Sequence, residues 1–327
     1  MLTRTDPGQR NPFRVILSNA PSTVARYELT LTWSTSGILD YQAATVLSRH
    51  TRENDGVEVF GEVRNDRARE MCSVEVAVTF YDDAGNVVDT DSAYASATTL
   101  APGATSIYQI NPLTHDLAFA GYEVQAQGYL VPVSEPPPPV ASVHVRSERS
   151  YVQGLRRYVV GEVLNDSTIP AYDLEVMARF YDASDQLVAV QDAYSELSAT
   201  RPDQRNPFNL VLWNAPATIA HYQLSLSWRT STILDYQPIT VLSKQIRDNY
   251  GVEVFGEVRN DQASEMRSVK VAVTFYDSGG EVVDIDSGYG SVTTLAPGAT
   301  TAYRVSTFNS SLVFASYEVQ AEGYVAP

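Results

Sequence analysis

Aspartates in alternate positions come nearest, among the residues of this chain, to a pattern that could do chemistry. They occur at equivalent positions of two related segments: Asp82, Asp89 and Asp91 in one, and Asp277, Asp284 and Asp286 in the other. Calcium is bound by several carboxylate and carbonyl oxygens around one point, so these residues raise the hypothesis of a calcium site. The alternative is that aspartates alternating along a β-strand face water. We favour this alternative, because no known calcium-binding loop is present and a third related segment has Ala189-Val190-Gln191 at this place.

The histidines and the single cysteine predict no catalytic or metal-binding set. Three histidines are not repeated in the related segment, since Gln245, Ser310 and Arg26 stand at the positions that correspond to His50, His115 and His221; His144 has no position to compare. Cys72 corresponds to Arg267, and we interpret it as an incidental thiol. Nucleophile–base–acid sets, zinc-ligand spacing and glycine-rich phosphate loops are not found. We therefore predict a protein that is not an enzyme and binds no metal or cofactor.

The dominant feature of the chain is that it contains one sequence twice. Residues 1–132 and 196–327 are related by a constant offset of 195 positions, so that Gln9-Arg10-Asn11-Pro12-Phe13 returns at 204–208. Repetition of a whole segment suits proteins that need length, spacing or multivalency, whereas an enzyme with one active site gains little from it. We expect the chain to be part of a longer tandem array.

A weaker repeat inside each copy divides the sequence into two related domain types, which we call A and B. Gly61-Glu62-Val63-Arg64-Asn65-Asp66 has counterparts at 161–166 and 256–261, and each is followed by Phe-Tyr-Asp, at 80–82, 180–182 and 275–277. Domains of this size can bury their own cores. The predicted boundaries are 1–42 for the C-terminal half of a B-type domain, 43–131 for an A-type domain, 132–140 for a proline-rich linker, 141–238 for a B-type domain and 239–327 for a second A-type domain.

Hydrophobic residues alternate with polar ones, which predicts β-strands with one buried face. Val74, Val76, Val78 and Phe80 follow this pattern, and so do Tyr222, Leu224, Leu226 and Trp228. Turn sequences such as Ala101-Pro102-Gly103 separate the strands, and no long amphipathic helical segment is present. About seven short strands in each domain indicate an all-β fold made of tandem immunoglobulin-like antiparallel β-sandwiches with an N-terminal half-domain.

These motifs resemble those of the FxLYD domain, an immunoglobulin-like module of bacterial and archaeal surface or secreted proteins. The shared features are Gly-Glu-Val-x-Asn, a strand that ends in Phe-Tyr-Asp, a glycine turn, paired valines and Leu-Ala-Pro-Gly. Where the family has leucine before Tyr-Asp, this chain has Phe80 and Phe180, so the large inward residue has moved along the same face. The resemblance implies a surface or secreted setting and a modular, non-catalytic role.

The charge of the chain excludes some partners. The formal net charge is -16, which argues against nucleic acid, because binding to phosphates depends on lysine and arginine. No window of eighteen apolar residues could span a membrane, and residues 1–30 lack a signal peptide. We predict an extracellular or cell-surface protein whose export signal lies outside this sequence.

The junctions between predicted domains are of two kinds. From A to B the chain passes through Pro136-Pro137-Pro138-Pro139, which we expect to be an extended, semi-rigid spacer. From B to A it runs from Tyr236-Gln237-Pro238 directly into Ile239 with almost no linker. We therefore expect each B-type domain and the following A-type domain to pack as one rigid pair.

The N-terminal half-domain carries an apolar face that it cannot cover alone. Its residues form a candidate assembly interface: Phe13, Val15, Leu17, Tyr27, Leu29, Leu31 and Trp33. In one interpretation the chain is a fragment, and the face is covered by the neighbouring A-type domain or by filament contacts. In the other, strands of another subunit complete the half-domain, a β-augmentation that builds a dimer or filament.

Three functional classes follow from this organisation. The first, which we favour, is a structural or adhesive tandem-repeat protein of a bacterial cell surface, stalk or extracellular filament, whose partners are itself or other surface proteins. The second is a carbohydrate- or protein-binding module, suggested by the many tyrosines and by Trp213 and Trp228. The third is an accessory region of a larger exported enzyme.

Overall fold

The computed structural model describes residues 2–16, 26, 28–32, 34, 40–114, 116–132, 141–248, 251–307, 309 and 311–325. These residues form β-strands, turns and loops, with no α-helix among them, which confirms the all-β prediction. The same residues contain no helix of the length and apolarity that crossing a membrane requires. The chain divides into two compact units, Met1–Val133 and Ser134–Pro327.

The first unit contains two antiparallel sheets. Its strands are β1 (Tyr41–Ala43), β2 (Thr45–Glu53), β3 (Val57–Arg64), β4 (Met71–Tyr81), β5 (Val87–Tyr94), β6 (Thr99–Leu100), β7 (Thr105–Ile110) and β8 (Gly121–Leu130). One sheet has the order β1-β8-β4-β5, with β6 also on β4, and the other has the order β2-β3-β7. Side chains such as Val59, Phe80 and Tyr108 from the two sheets are fully buried, as a β-sandwich requires.

The second unit begins with a further pair of sheets. Its strands are β9 (Val143–Gln153), β10 (Arg156–Asn165), β11 (Ala171–Tyr181), β12 (Leu187–Tyr194), β13 (Ala199–Thr200), β14 (Arg205–Leu212) and β15 (His221–Arg229). One sheet has the order β14-β10-β9, and in the other β11 pairs with β12, β13 and β15. We refer to this sandwich as the B sandwich.

We call the pair of sheets in the first unit the first A sandwich. A third pair of sheets completes the second unit, and we call it the second A sandwich. Its strands are β16 (Tyr236–Pro238), β17 (Thr240–Asp248), β18 (Val252–Arg259), β19 (Met266–Tyr276), β20 (Val282–Tyr289), β21 (Thr294–Leu295), β22 (Thr300–Ser306) and β23 (Ser316–Val325). The sheet orders, β16-β23-β19-β20 and β17-β18-β22, are those of the first A sandwich.

The recurring phenylalanines lie at the centres of the cores. Phe180 packs with residues of both sheets of the B sandwich, among them Val159 and Phe208. Phe275 occupies the corresponding place in the second A sandwich, where it packs at 5.0 Å from the ring of Phe314. The period-two pattern therefore identified the buried face of these strands correctly, because alternate side chains of a strand point to opposite faces of the sheet.

The repeated glycine allows its strand to pack unusually close to neighbouring groups. A β-carbon added to Gly161 would lie 2.4 Å from the carbonyl oxygen of Ser147 and 2.6 Å from the ring of Phe208. At the matching Gly256 it would lie 2.0 Å from the carbonyl oxygen of Ser243. Neither distance leaves room for a methyl group, so glycine is required by packing.

The repeated asparagine holds two loops together at the end of each sandwich. The buried Asn165 amide donates to the carbonyl oxygens of Ile169 and Thr200, both at 2.8 Å, and its Oδ1 accepts from the Ser167 amide at 3.1 Å. Asn65 and Asn260 make the same set of bonds in the two A sandwiches. The Gly-Glu-Val-x-Asn motif thus serves the fold, since its glycine and asparagine satisfy packing and buried backbone groups.

The predicted ends of the B-type domains, 1–42 and 141–238, lie within strands of the following sandwich. Tyr41 pairs with Tyr129 of β8, and Tyr236 pairs with Tyr324 of β23. The chain therefore joins the A-type sheet a few residues before the predicted start of the A-type domain. This continuity is the structural counterpart of the missing linker at these junctions.

Candidate assembly interface

The two sandwiches of the second unit meet through β9, β10, β13 and β14 of the B sandwich and β19, β20 and β23 of the second A sandwich. We call this contact the B–A interface. It contains Ser147, Tyr151, Val160, Glu162, Ser198, Ala199, Gln204, Arg205 and Asn209 from the B sandwich, and Tyr276, Val282, Asp284, Ile285, Glu318, Gln320 and Glu322 from the second A sandwich.

A tyrosine–carboxylate bond lies at the centre of this interface. The Tyr276 hydroxyl donates to the carboxylate of Glu162 at 2.6 Å, and the carboxylate of Glu318 lies 3.3 Å from the same hydroxyl. Arg205 lies beside both acids, at 3.5 Å from Glu162 and 4.0 Å from Glu318. Burial raises the pKa of Glu162, since the charged form loses its water, and the bonds from Tyr276 and Arg205 oppose that change.

A second tyrosine–carboxylate bond runs in the opposite direction, from the B sandwich to the A sandwich. The hydroxyl of Tyr151 donates to Asp284 at 2.9 Å, and the Ile285 amide donates to the same oxygen at 2.9 Å. The ring of Tyr151 stacks on Tyr158 with centroids 4.8 Å apart. Asp284 is buried, and burial raises its pKa. The prediction that these alternating aspartates face water is therefore wrong for Asp284, because the B sandwich covers it.

The other repeated aspartates have a separate structural role. Oδ1 of Asp82 accepts hydrogen bonds from the amides of Ala84 and Asn86 at 3.0 and 2.8 Å, so this carboxylate closes the turn after β4. Asp277 closes the matching turn after β19. Within the described part of the chain, no group of three or more histidine, cysteine, aspartate or glutamate side chains could hold a metal ion.

Apolar side chains fill the space between the two tyrosine bonds. Val160 of the B sandwich is buried against Tyr276, Val282 and Ile285 of the A sandwich, with Tyr151 packed beside them. The amide of Val282 donates to the Ser147 hydroxyl at 3.2 Å, and Asn209 donates to the carbonyl of Ile285 at 3.0 Å. The B sandwich thus shields the edge strand β20 from water and hydrogen-bonds to its backbone. Such covering prevents an exposed edge strand from pairing with other chains.

The far end of the interface is held by Glu322. Its buried carboxylate accepts from the backbone amides of Ser198 and of Ala199, the latter at 3.3 Å. Burial raises the pKa of Glu322, and these two amide bonds act in the opposite direction. Beside it, Gln204 donates to Gln320 at 3.1 Å.

The N-terminal segment of the first unit makes the same contacts with its own A sandwich. The amide of Arg4 donates to Gln127 at 3.1 Å, and Gln9 donates to Gln125 at 2.8 Å. At the positions offset by 195, the amide of Ala199 donates to Glu322 and Gln204 donates to Gln320. The internal geometry is also repeated, since Asn11 donates to the carbonyl of Leu2 at 2.7 Å. The equivalent bond from Asn206 to Leu197 is also 2.7 Å long. Residues 2–11 therefore fold against β8 as residues 197–206 fold against β23.

The rest of this A-type face is uncovered in the first unit. Val87 and Val88 are 60% and 41% exposed, whereas Val282 and Val283 are 1% and 5% exposed. Arg14 lies 3.7 Å from Asp89. The equivalent Asp284 instead accepts a hydrogen bond from the neutral hydroxyl of Tyr151. Val282 is buried against Val160 of β10 and Tyr151 of β9, whereas residues 1–42 contain no sequence equivalent to these two strands.

The candidate assembly residues are exposed where the structure describes them. Phe13, Val15, Leu29 and Leu31 are 50%, 73%, 51% and 69% exposed, while Leu17, Tyr27 and Trp33 lie outside the described residues. In the B sandwich every counterpart belongs to the core or packs against it: Phe208, Leu210, Leu212, Tyr222, Leu224, Leu226 and Trp228. The described members form no strand, contrary to the prediction, because the strands that pair with β14 and β15 have no counterpart here.

The histidines are scattered and serve local packing. His50 stacks on Phe60 at 5.4 Å, and burial lowers its pKa. His221 stacks on Tyr181 at 5.1 Å, and His144 lies 3.5 Å from Asp166 at another place in the B sandwich. His115 lies outside the described residues. Cys72 is a buried free thiol on β4.

Sequence reasoning did not identify the tyrosine–carboxylate pairs. The glutamate of the Gly-Glu-Val motif occurs as Glu62, Glu162 and Glu257, but only Glu162 is fully buried. The one available signal was the junction without a linker, which predicted that B and A pack together. No protein-family model matches the chain, and no curated protein sequence matches it. The resemblance to the FxLYD domain stays a prediction.

Proposed function

We propose that the chain is a non-catalytic structural or adhesive tandem-repeat protein of a bacterial cell surface, stalk or extracellular filament, built from immunoglobulin-like domains. The observation that supports this most is the B–A interface, where two tyrosine–carboxylate bonds and an apolar centre join consecutive sandwiches. Its buried acids, Glu162, Asp284 and Glu322, each have partners across the interface. A domain junction held in this way favours a protein whose function depends on geometry between repeats.

Charge and composition support the same proposal. A net charge of -16 keeps repeated domains soluble and opposes unspecific association between arrays. The repeated glycine, asparagine and Phe-Tyr-Asp residues have roles in packing and turns, so the residues that recur most regularly are accounted for by the fold. The resemblance to surface modules agrees with an extracellular location.

Localisation is tested by labelling intact bacteria that carry the native gene with an antibody against residues 141–327. We expect labelling of intact cells, and the same labelling intensity after permeabilisation. Labelling that requires permeabilisation would contradict a surface or extracellular location. A cytoplasmic protein of the same cells, labelled in parallel, controls for cell integrity.

A binding function is a second candidate because of a cavity of about 240 Å³ beside Trp213. Tyr151, Arg156, Asp286 and Asn309 also line it, and the Arg156 guanidinium lies 3.5 Å from the centroid of the Trp213 ring. Aromatic and hydrogen-bonding side chains together suit a carbohydrate ligand. Binding of the full chain to a glycan array, lost in Trp213→Ala, would favour this function; an array without signal would exclude the glycans tested.

A further inference from the structure

One face of the first unit has the composition of a contact surface but lacks its partner. We call it the open face, and it consists of Tyr81, Val87, Asp89, Phe13 and Val15. Tyr81, Val87, Val88 and Asp89 are identical to Tyr276, Val282, Val283 and Asp284 at the offset of 195 positions. In the second unit Tyr276, Val282 and Asp284 contact the B sandwich, while Val283 packs in the core of its own sandwich. In the first unit Val87 is 60% exposed and Asp89 lies beside Arg14 of the N-terminal segment.

The N-terminal segment already forms the part of the B–A interface that lies on β8, and this shows where the missing partner would sit. Arg4 and Gln9 hold residues 2–11 on β8 through the same two bonds that hold the B sandwich on β23. Phe13 and Val15 follow directly, and in the B sandwich the corresponding Phe208 and Leu210 pair with Gly161 and Val159 of β10. A strand equivalent to β10 placed at this position would therefore contact both the N-terminal segment and β5.

We propose that the open face binds a B-type segment of the kind formed by residues 141–195, the segment that contains β9, β10, β11 and β12. The proposal rests on the proposed function, because it treats the B–A interface as the repeated junction of the protein. The segment would be supplied by a neighbouring repeat of the array, and its β9 and β10 would cover Val87, as they cover Val282 in the second unit.

The chemistry of the open face selects this occupant. The Tyr81 hydroxyl lies 3.3 Å from Glu123, and the equivalent Tyr276 hydroxyl lies 3.3 Å from Glu318. Tyr276 also has a second acceptor, Glu162 of the B sandwich. A B-type segment on the open face would provide the equivalent second acceptor for Tyr81. Asp89 corresponds to the acceptor of the Tyr151 hydroxyl. Tyr81 and Asp89 thus supply the donor and the acceptor that the two tyrosine–carboxylate bonds to a B-type segment require.

An intact second copy of the chain fits less well. In the second unit, residues 156–165 of β10 already pair with β9 and β14, and Glu162 is already bonded to Tyr276. A B sandwich that is complete has no free strand for Phe13 and Val15. The occupant must therefore arrive without its own β14, so that Phe13 and Val15 can pair with its β10 as Phe208 and Leu210 do.

The test is an extended chain that carries a copy of residues 141–195 directly before Met1, compared with the chain itself by hydrogen exchange and mass spectrometry. We expect amides of residues 11–16 and 87–94 to exchange at least about tenfold more slowly in the extended chain. A matched extended chain with the changes Y151F and E162Q in the added copy should gain less protection at 87–94. If exchange at these residues is unchanged while the added segment itself is protected, the proposal is wrong.

A second measurement covers the case in which the extension does not fold. The segment 141–195, made separately and refolded by dilution into an excess over the full chain, should slow exchange at residues 87–94. Failure in both formats would overturn the proposal. A stable dimer of the unextended chain with residues 87–94 already protected would identify a second copy as the occupant, and would also overturn it.

The same experiment separates this proposal from the proposed function. Residues 282–289 lie in the B–A interface of every variant, so their protection reports on the junction itself. If amides of 282–289 exchange slowly and amides of 87–94 gain no protection in the extended chain, the proposed occupant of the open face is wrong and the proposed function is unaffected. Fast exchange at 282–289 rejects the junction on which the proposed function depends.

Discussion

The hydroxyl of Tyr276 donates to the carboxylate of Glu162 at 2.6 Å, across the contact between two consecutive sandwiches. The equivalent tyrosine of the first unit, Tyr81, donates to Glu123 of its own sandwich at 3.3 Å. One chain therefore contains the same A-type face in a covered and an uncovered form. Tyr276, Val282 and Asp284 can therefore each be tested against an identical residue of the first unit, Tyr81, Val87 and Asp89, that no B sandwich contacts within the described part of that unit.

Tyr276→Phe should lower the free energy of unfolding of the second unit by about 1–3 kcal/mol, because a buried carboxylate loses its hydrogen-bond donor. The matched Tyr81→Phe should change the stability of the first unit by less than about 0.5 kcal/mol. Urea unfolding followed by segment-resolved hydrogen exchange measures both. Equal losses in the two variants would show that the Glu162 bond contributes nothing measurable.

Val282→Ala should destabilise the second unit by about 1–3 kcal/mol, since it removes buried methyl groups and leaves a cavity against Val160. Val87→Ala should have almost no effect, because Val87 is largely exposed. Thermal unfolding of the full chain, with the two units distinguished by exchange, gives the comparison. A large effect of Val87→Ala would mean that the open face is already covered in solution.

Gly161→Ala should be among the most damaging single changes in the B sandwich. The new methyl group would overlap the Ser147 carbonyl and the Phe208 ring, so strands β9 and β10 would have to separate. We expect a loss of more than about 3 kcal/mol, or an unfolded B sandwich. Gly121→Ala, at a position where a β-carbon meets no atom within 4 Å, is the control and should be tolerated.

The stability of the second unit should fall as the pH rises, because of the buried Glu175. Burial, with a smaller contribution from Asp192, raises the pKa of Glu175 from 4.5 to about 9. The folded state therefore holds a proton that the unfolded state releases, and stability is lost between about pH 4.5 and pH 9. Glu175→Gln should flatten this part of the curve, measured by urea unfolding at several pH values. Glu75→Gln, at the half-buried equivalent in the first A sandwich, is the control; an unchanged slope in Glu175→Gln would contradict the assignment.

Much of the fold could be predicted from periodicity and repetition. The alternation around Val78 and Phe80 identified a buried strand face, and the junction at Pro238 without a linker predicted close packing of B on A. Both inferences rest on local properties, the alternation of side chains along a strand and the length of a linker, which a single sequence contains.

The roles of individual acids could not be predicted in the same way. Asp89 and Asp284 occupy corresponding positions, each in the pattern Val-Val-Asp-x-Asp. Of the two, Asp284 accepts a hydrogen bond from a tyrosine of another sandwich. The contact that covers each aspartate is set by distant parts of the chain: Tyr151 of β9 lies against Asp284, and Arg14 lies against Asp89. The alternation of charge along the strand is the same in both cases, so the pattern alone indicated solvent exposure for both.

Segment-resolved hydrogen exchange of the full chain in increasing urea tests the central claim most directly, that the B sandwich and the second A sandwich form one junction-stabilised unit. The account predicts that peptides from 143–229 and from 252–306 lose protection at the same urea concentration, and that Tyr276→Phe moves both together. Loss of protection at two separate concentrations, with only one of them moved by Tyr276→Phe, would contradict it.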